Sequence, residues 1–196
     1  LDETSASRFV FQTLQGVAFM HEHGCVHRDL KPDNVLLTAL GQEVRICDFG
    51  WSAEVSMERA LMTTCGTPNY WAPEQFERLP QSFCTDVWAM GNLIYEILVG
   101  HCPFWGSHEE IREKVLAVDV RYPPNLLSQD ATHCIHCHLQ REPSARAPAT
   151  WTWTQHPWLS RVMAQQPLQP QSLQCSADVP SQRMERADGL TAVVAD

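Results

Sequence analysis

Between Ser7 and His23 apolar side chains recur at Val10, Leu14, Val17 and Ala18. The spacing i, i+4, i+7, i+8 lays them on one helical face and predicts a helix that stops at Gly24. Val35-Leu36-Leu37 and Val44-Arg45-Ile46-Cys47 are short β-rich runs on either side of Gly41, and they predict a small hairpin. From 48 to 82 no period is sustained, and Gly50, Gly66, Pro68, Pro73 and Pro80 interrupt the pattern. That predicts a long ordered or switchable loop, and loops of this length are usually functional. Val87, Trp88, Met90, Leu93, Ile94, Ile97, Leu98 and Val99 predict a helix apolar on nearly every side, ended by Gly100 and set in the middle of a core. Three more helical stretches are predicted near 107–118, 128–140 and 148–156, with no internal repeat. After Ser160, glutamines alternate with Pro167, Pro170 and Pro180 and large apolar residues thin out. The pattern predicts one domain over 1–160 and a disordered Gln/Pro-rich tail over 161–196.

Composition agrees with one domain: 196 residues, 44% apolar and 19% charged, are enough for a sizeable core. Acidic residues outnumber basic ones 23 to 14, for a net charge of −9. Such a balance argues against a non-specific nucleic-acid binder and suits a basic partner or substrate. There is no apolar run of about 18 residues to make a membrane helix, so no membrane is expected as a partner. Leu1-Asp2-Glu3-Thr4 is too polar for a secretory signal. The eight scattered cysteines are therefore expected as reduced thiols inside a cell, in cytoplasm or nucleus. The first residue is Leu rather than Met, which suggests a piece of a longer product.

The chemistry concentrates in His27-Arg28-Asp29-Leu30-Lys31-Pro32-Asp33-Asn34, followed fourteen residues past Asn34 by Asp48-Phe49-Gly50. Two carboxylates, a lysine and an amide then sit on two turns joined by the predicted hairpin. Phosphoryl transfer needs this set: a carboxylate for the proton of the attacking hydroxyl, a cation beside the moving phosphoryl group, and oxygen ligands for Mg²⁺.

These segments resemble the catalytic and metal-binding loops of eukaryotic protein kinases. The resemblance implies that Asp29 is the catalytic base and that Lys31 neutralises the γ-phosphate. It implies that Asn34 and Asp48 hold Mg²⁺, that Lys31, Asp33, Asn34 and Asp48 line the ATP site, and that His27 and Phe49 pack together inside. Further matches follow in the family's order. Ala72-Pro73-Glu74 closes an activation segment begun at Asp48. Gly66-Thr67-Pro68-Asn69-Tyr70 offers a hydroxyl, that of Thr67, to contact Asp29 and Lys31. Asp86, in Asp86-Val87-Trp88, is implied to brace the catalytic loop, and Arg146 to pair with Glu74.

Lys31 and Thr67 favour a Ser/Thr enzyme. Asp48-Phe49-Gly50-Trp51-Ser52, Thr63-Thr64-Cys65-Gly66-Thr67 and His156-Pro157-Trp158 are similar to the Aurora group of mitotic kinases. The basic residues such enzymes carry before the paired threonines are replaced by Ala60-Leu61-Met62. The resemblance makes Thr63 the activating phosphosite and Arg28 the cation on which its phosphate docks. It makes Asp33 and Glu96 acids that receive arginines of a basic protein substrate. An activating protein partner is compatible with this reading, and an Aurora-like enzyme is expected at the spindle.

Cys134-Ile135-His136-Cys137-His138 spells the haem attachment pattern, with His133 beside it. The helical register instead turns Cys134, Ile135, His138 and Leu139 inward, where thiols act as small hydrophobes. No haem is expected, and no second ligand pair for zinc stands out at a suitable spacing. Trp151, Trp153 and Trp158 are expected on a helix packed against the core.

The resemblance begins at the helix before the catalytic loop. The expected fold is α+β, mainly α: the C-terminal lobe of a protein kinase, a short β-ribbon around a buried central helix, with the small lobe absent. No G-x-G-x-x-G loop, strand lysine or partner glutamate of that lobe is found. Two functions follow from this: a Ser/Thr protein kinase whose sequence is truncated, or a non-catalytic lobe remnant acting as an interaction module. A binding module has no physical need for the proton acceptor and metal ligands at Asp29, Asn34 and Asp48.

Overall fold

Asp2 opens the first helix: its carboxylate accepts the Ser5 N–H at 3.0 Å, and α1 runs Glu3–Glu22. The helix therefore starts ahead of the first residue of the apolar stripe, because the cap and the first-turn acid Glu3 decide the start. The computed structural model describes residues 1–38, 43–54 and 61–160.

Two short antiparallel pairs follow: β1 (Cys25–Val26) with β4 (Ala53–Glu54), and β2 (Val35–Leu37) with β3 (Val44–Ile46). In the second, Val35 faces Ile46, as the predicted hairpin requires, while the turn around Gly41 lies outside the described residues. The β1–β4 pair was not predicted, since two-residue runs carry no readable alternation. Within the segment predicted as a loop, 3₁₀ turns form at Phe49–Trp51 and Pro68–Tyr70, and a short helix, α2, at Pro73–Phe76. Then come α3 (Phe83–Val99), α4 (His108–Ala117), α5 (Gln129–His138) and α6 (Ala149–Gln155). The architecture is mainly helical with few strands. The predicted tail over 161–196 lies outside the described residues.

α3 is the centre. Trp88, Met90, Leu93 and Ile94 are fully buried on it, and Trp88 stacks on Phe104 at 5.6 Å. Gly91 lets the end of α5 come close, for a Cβ there would lie 2.7 Å from Leu139. The inward face of α5 is as the register predicts, with Cys134, Ile135 and His138 fully buried and Leu139 1% exposed. His138 Nδ1 donates to the Cys134 carbonyl at 2.7 Å, and burial holds its imidazole down to about 4. On the other side, α1 meets α6, where Phe11 and Trp153 pack edge to face at 5.8 Å. Trp158 is buried, and Trp151 lies edge-on to the His156 ring.

Candidate active site

The first turn of α3 anchors the site. Asp86, fully buried, accepts the His27 N–H on Oδ2 and the Arg28 N–H on Oδ1, both at 2.8 Å. His21, near the end of α1, adds a third contact, Nε2 to Oδ2 at 2.9 Å. These bonds hold Arg28 in a left-handed conformation, φ +69°, which costs a non-glycine residue about 1–3 kcal/mol. His27 Nε2 reaches the Cys47 carbonyl at 3.0 Å, and the Cys47 N–H donates to the Asn34 carbonyl at 2.9 Å. The loop after β1 is thus fastened to the end of β3, one residue before Asp48.

Asp29 is 5% exposed and accepts four hydrogen bonds. Oδ1 takes the Thr67 N–H and the Thr67 hydroxyl, both at 3.0 Å. Oδ2 takes Lys31 Nζ at 2.9 Å and Asn34 Nδ2 at 3.2 Å. Lys31 Nζ also reaches Thr67 Oγ1 at 2.8 Å, so acid, cation and hydroxyl form one closed ring of contacts. The next turn approaches closely only because residue 66 is glycine. Its φ is +84°, and a Cβ there would fall 2.5 Å from the Arg28 carbonyl oxygen.

The amide of Asn34 is oriented by its second bond, Nδ2 to the Asp29 carbonyl at 2.8 Å. With the nitrogen used twice on Asp29, the oxygen Oδ1 is the atom left for a cation. Asp48 supplies the carboxylate. It caps the Phe49–Trp51 turn from a left-handed conformation, φ +59°, and accepts the Gly50 N–H at 3.3 Å on Oδ1. An amide oxygen and an exposed carboxylate are hard oxygen donors of the kind Mg²⁺ takes alongside phosphates and water, so the set fits that ion. Phe49 packs against His27, centroids 5.2 Å apart. It is nonetheless 51% exposed, where an interior position was expected.

Glu74 and Arg146 form a buried bidentate pair, both contacts 2.7 Å. Arg146 also donates to the carbonyls of Gln140, Cys84 and Arg141, and Thr85 Oγ1 donates to Glu74 at 3.2 Å. Such a pair leaves little unsatisfied, and removing one partner strands the other. Thr63 is exposed, its carbonyl held by Gln81 Nε2 at 3.0 Å. Arg28 does not wait on it: its Nε donates to the Trp51 carbonyl at 2.6 Å. Asp33 is exposed at the 3₁₀ turn Pro32–Asn34.

Glu96 is half-buried and already engaged, accepting the Tyr70 hydroxyl and, at 3.1 Å, the Cys102 thiol. Burial pushes the Tyr70 hydroxyl far up and the Cys102 thiol up to about 12, so both remain protonated donors. Tyr70 and Cys102 as partners of Glu96, His21 on Asp86, and Gln81 on Thr63 escaped the sequence reading. None lies at a spacing that marks contact across a fold.

The protein kinase domain family matches residues 1–159. The chain is 34% identical to an Aurora kinase of Candida albicans, over 74% of this chain and 31% of that protein. It is 34% identical to Aurora kinase A-A of Xenopus laevis, over 81% of this chain and 38% of that protein. Human protein kinase C delta type is 34% identical too, over 80% of this chain and 23% of that protein. The chain therefore spans well under half the length of these relatives.

Proposed function

Because this chain belongs to the protein kinase family, we propose that it is the large-lobe part of a Ser/Thr kinase that passes the γ-phosphoryl group of ATP to protein hydroxyls. The observation that carries this is the ring of contacts among Asp29, Lys31 and Thr67. Asp29 accepts the proton of the attacking hydroxyl as its oxygen bonds to the γ-phosphorus and the bond to the β-phosphate oxygen breaks. Lys31 sits beside that carboxylate and offers its ammonium to the phosphoryl oxygens. Asn34 through Oδ1, and Asp48 through its carboxylate, are the residues that would hold Mg²⁺, which when bound would neutralise phosphate charge. All four acceptor positions of Asp29 are occupied, so the substrate hydroxyl must take one over. The Asn34 contact, at 3.2 Å, is the longest of them.

An Aurora-like enzyme is supported by the motif likeness and by relatives of that name. A preference for basic residues near the target is supported by the exposed Asp33, the carboxylate of Glu96 and the net charge of −9. The seven described cysteines are all unpaired, which supports an enzyme working in cytoplasm or nucleus.

The test is transfer of labelled phosphate from ATP and Mg²⁺ by the full-length protein to a mixed Ser, Thr and Tyr peptide library. Label on Ser and Thr peptides is expected; label on Tyr peptides alone, or none, rejects the reading and in the second case favours an interaction module. Thr63 is the regulatory site in this account, its phosphate drawing Arg28 away from Trp51. Thr63→Ala should lower activity about tenfold or more, given the size of ordering effects at phosphate-docked loops. Unchanged activity removes Thr63 from the account.

A further inference from the structure

The solvent side of α5 carries a cluster that the kinase reading does not use. His133 and Cys137 stand four residues apart, so they share one helical face. The fold brings His156, the residue closing α6, against them. His133 Nδ1 lies 2.9 Å from His156 Nε2, and Cys137 Sγ lies 3.8 Å from His133 Nδ1 and 3.6 Å from Nε2. One ligand atom from each falls within 4.8 Å of the other two. The spacing of Cys134-x-x-Cys137-His138 suggested a metal motif whose two other members turn into the core. The fold replaces them with a histidine from a separate element.

We propose that His133, Cys137 and His156 form a binding site for one borderline-soft divalent ion, zinc in the first instance, with a fourth position left to water. Two imidazoles and a thiolate are the donor types zinc takes, and three protein ligands plus water is a common closure. Zn–N near 2.05 Å and Zn–S near 2.3 Å at tetrahedral angles put N and N about 3.4 Å apart and N and S about 3.6 Å apart. The His133–His156 distance is about half an ångström short of this and the His133–Cys137 distance within a few tenths of it, while Cys137 and His156 lie within 4.8 Å of each other. Closing on an ion therefore takes a shift of the exposed His133 ring together with the half-buried Cys137 side chain. His133 also lines an open cleft of about 350 Å³ with Tyr122, Leu127, Thr132 and His136, which gives an ion a path from solvent.

The protons balance. His156 Nδ1 accepts the Trp158 N–H at 3.2 Å, so a neutral ring carries its proton on Nε2 and donates it to His133. Binding through Nε2 moves that proton to Nδ1 at the expense of the Trp158 contact, and the Cys137 thiol releases its proton to solvent. One proton leaves per ion. Burial and then the neighbouring His133 hold the His156 imidazole below its usual range, with the Asp130 carboxylate acting against them. A neutral ring and a nearby negative charge both favour a cation, whereas burial raises the Cys137 thiol and makes loading pH-dependent. Once bound, the ion clips the end of α6 to α5.

The probe is Co²⁺ alone, titrated into the full-length protein, reduced and stripped of metal. The expected result is one Co²⁺ per chain, with tetrahedral d–d bands and a thiolate-to-cobalt charge-transfer band that Zn²⁺ abolishes. Cys137→Ser should remove the charge-transfer band and Cys25→Ser should keep it. His133→Ala, at an exposed position, should weaken binding by roughly tenfold or more. Zinc should raise the melting temperature of the wild type and not of Cys137→Ser. No saturable band at one ion per chain, or a band that survives Cys137→Ser, overturns the proposal and leaves a hydrogen-bonded histidine pair. If Cys137→Ser does not fold, the stoichiometry and the His133→Ala titration decide. Transfer of phosphate enters none of these readouts.

Discussion

Asp29 and Asp48 serve the same proposed reaction from neighbouring loops, and the chain holds them very differently. Asp29 is 5% exposed and carries four hydrogen bonds, on a loop whose backbone is pinned by the fully buried Asp86. Asp48 is exposed and left-handed, and it accepts the Gly50 N–H at 3.3 Å, while Phe49 beside it is 51% exposed and Trp51 48%. The half of the site proposed to handle the proton is thus built from contacts within the described residues. The carboxylate proposed to hold the cation, Asp48, is presented to solvent together with a pair of half-exposed aromatic rings. A position fixed by many buried bonds contributes to stability and chemistry together, whereas a surface ligand contributes to chemistry alone.

That contrast breaks most readily at Asp86. Asp86→Ala leaves the His27 and Arg28 N–H groups without an acceptor, and orphaned buried donors cost about 1–3 kcal/mol each. The expected loss is about 3–5 kcal/mol in urea unfolding, with activity falling as well. A loss under about 1 kcal/mol would mean that the loop is held by something else.

Acid should reach the same framework through the core beneath α3. The His138 imidazole is lowered by burial from 6.5 to about 4, so on acidification the unfolded chain binds its proton first. Stability from this group is full above about pH 6.5 and falls by about 3 kcal/mol as the pH drops to about 4, then levels. His156, lowered chiefly by burial, acts in the same sense. Thermal melts across pH 4–7 should slope accordingly, and a flat profile would show that the folded state takes the His138 proton as readily as the unfolded chain does.

The smallest stability effect is expected at the other loop. Asp48→Ala should change unfolding free energy by no more than about 0.5 kcal/mol, as surface substitutions do, while abolishing measurable phosphoryl transfer. A large loss of stability there would erase the distinction between the two halves.

The distinction also explains what could be read from the sequence. The stripe Val10, Leu14, Val17, Ala18 and the apolar run of 87–99 announced α1 and α3, because helical period is a local signal. α1 starts ahead of that stripe because its beginning is set by the Asp2 cap, a single residue with no period. β1 and β4 escaped because two residues carry no period. Asp29, Lys31, Asn34 and Asp48 stand out as a chemical set in two short segments fourteen residues apart. The bracing by Asp86 came only through family likeness, for it spans 59 residues to His27. His156 beside Cys137 had no sequence signal, because the ligand arrives from a separate helix end. The phosphate-docking role of Arg28 is an implication of the family likeness, and the contact its Nε makes to the Trp51 carbonyl has no sequence signal.

The most direct measurement is phosphoryl transfer by full-length Asp29→Asn at saturating ATP and peptide, on protein shown by circular dichroism to be folded. A side chain of the same shape that cannot take the proton should lower turnover about 10²–10⁴-fold. Turnover equal to the wild type would contradict the role of Asp29, and with it the account of this site.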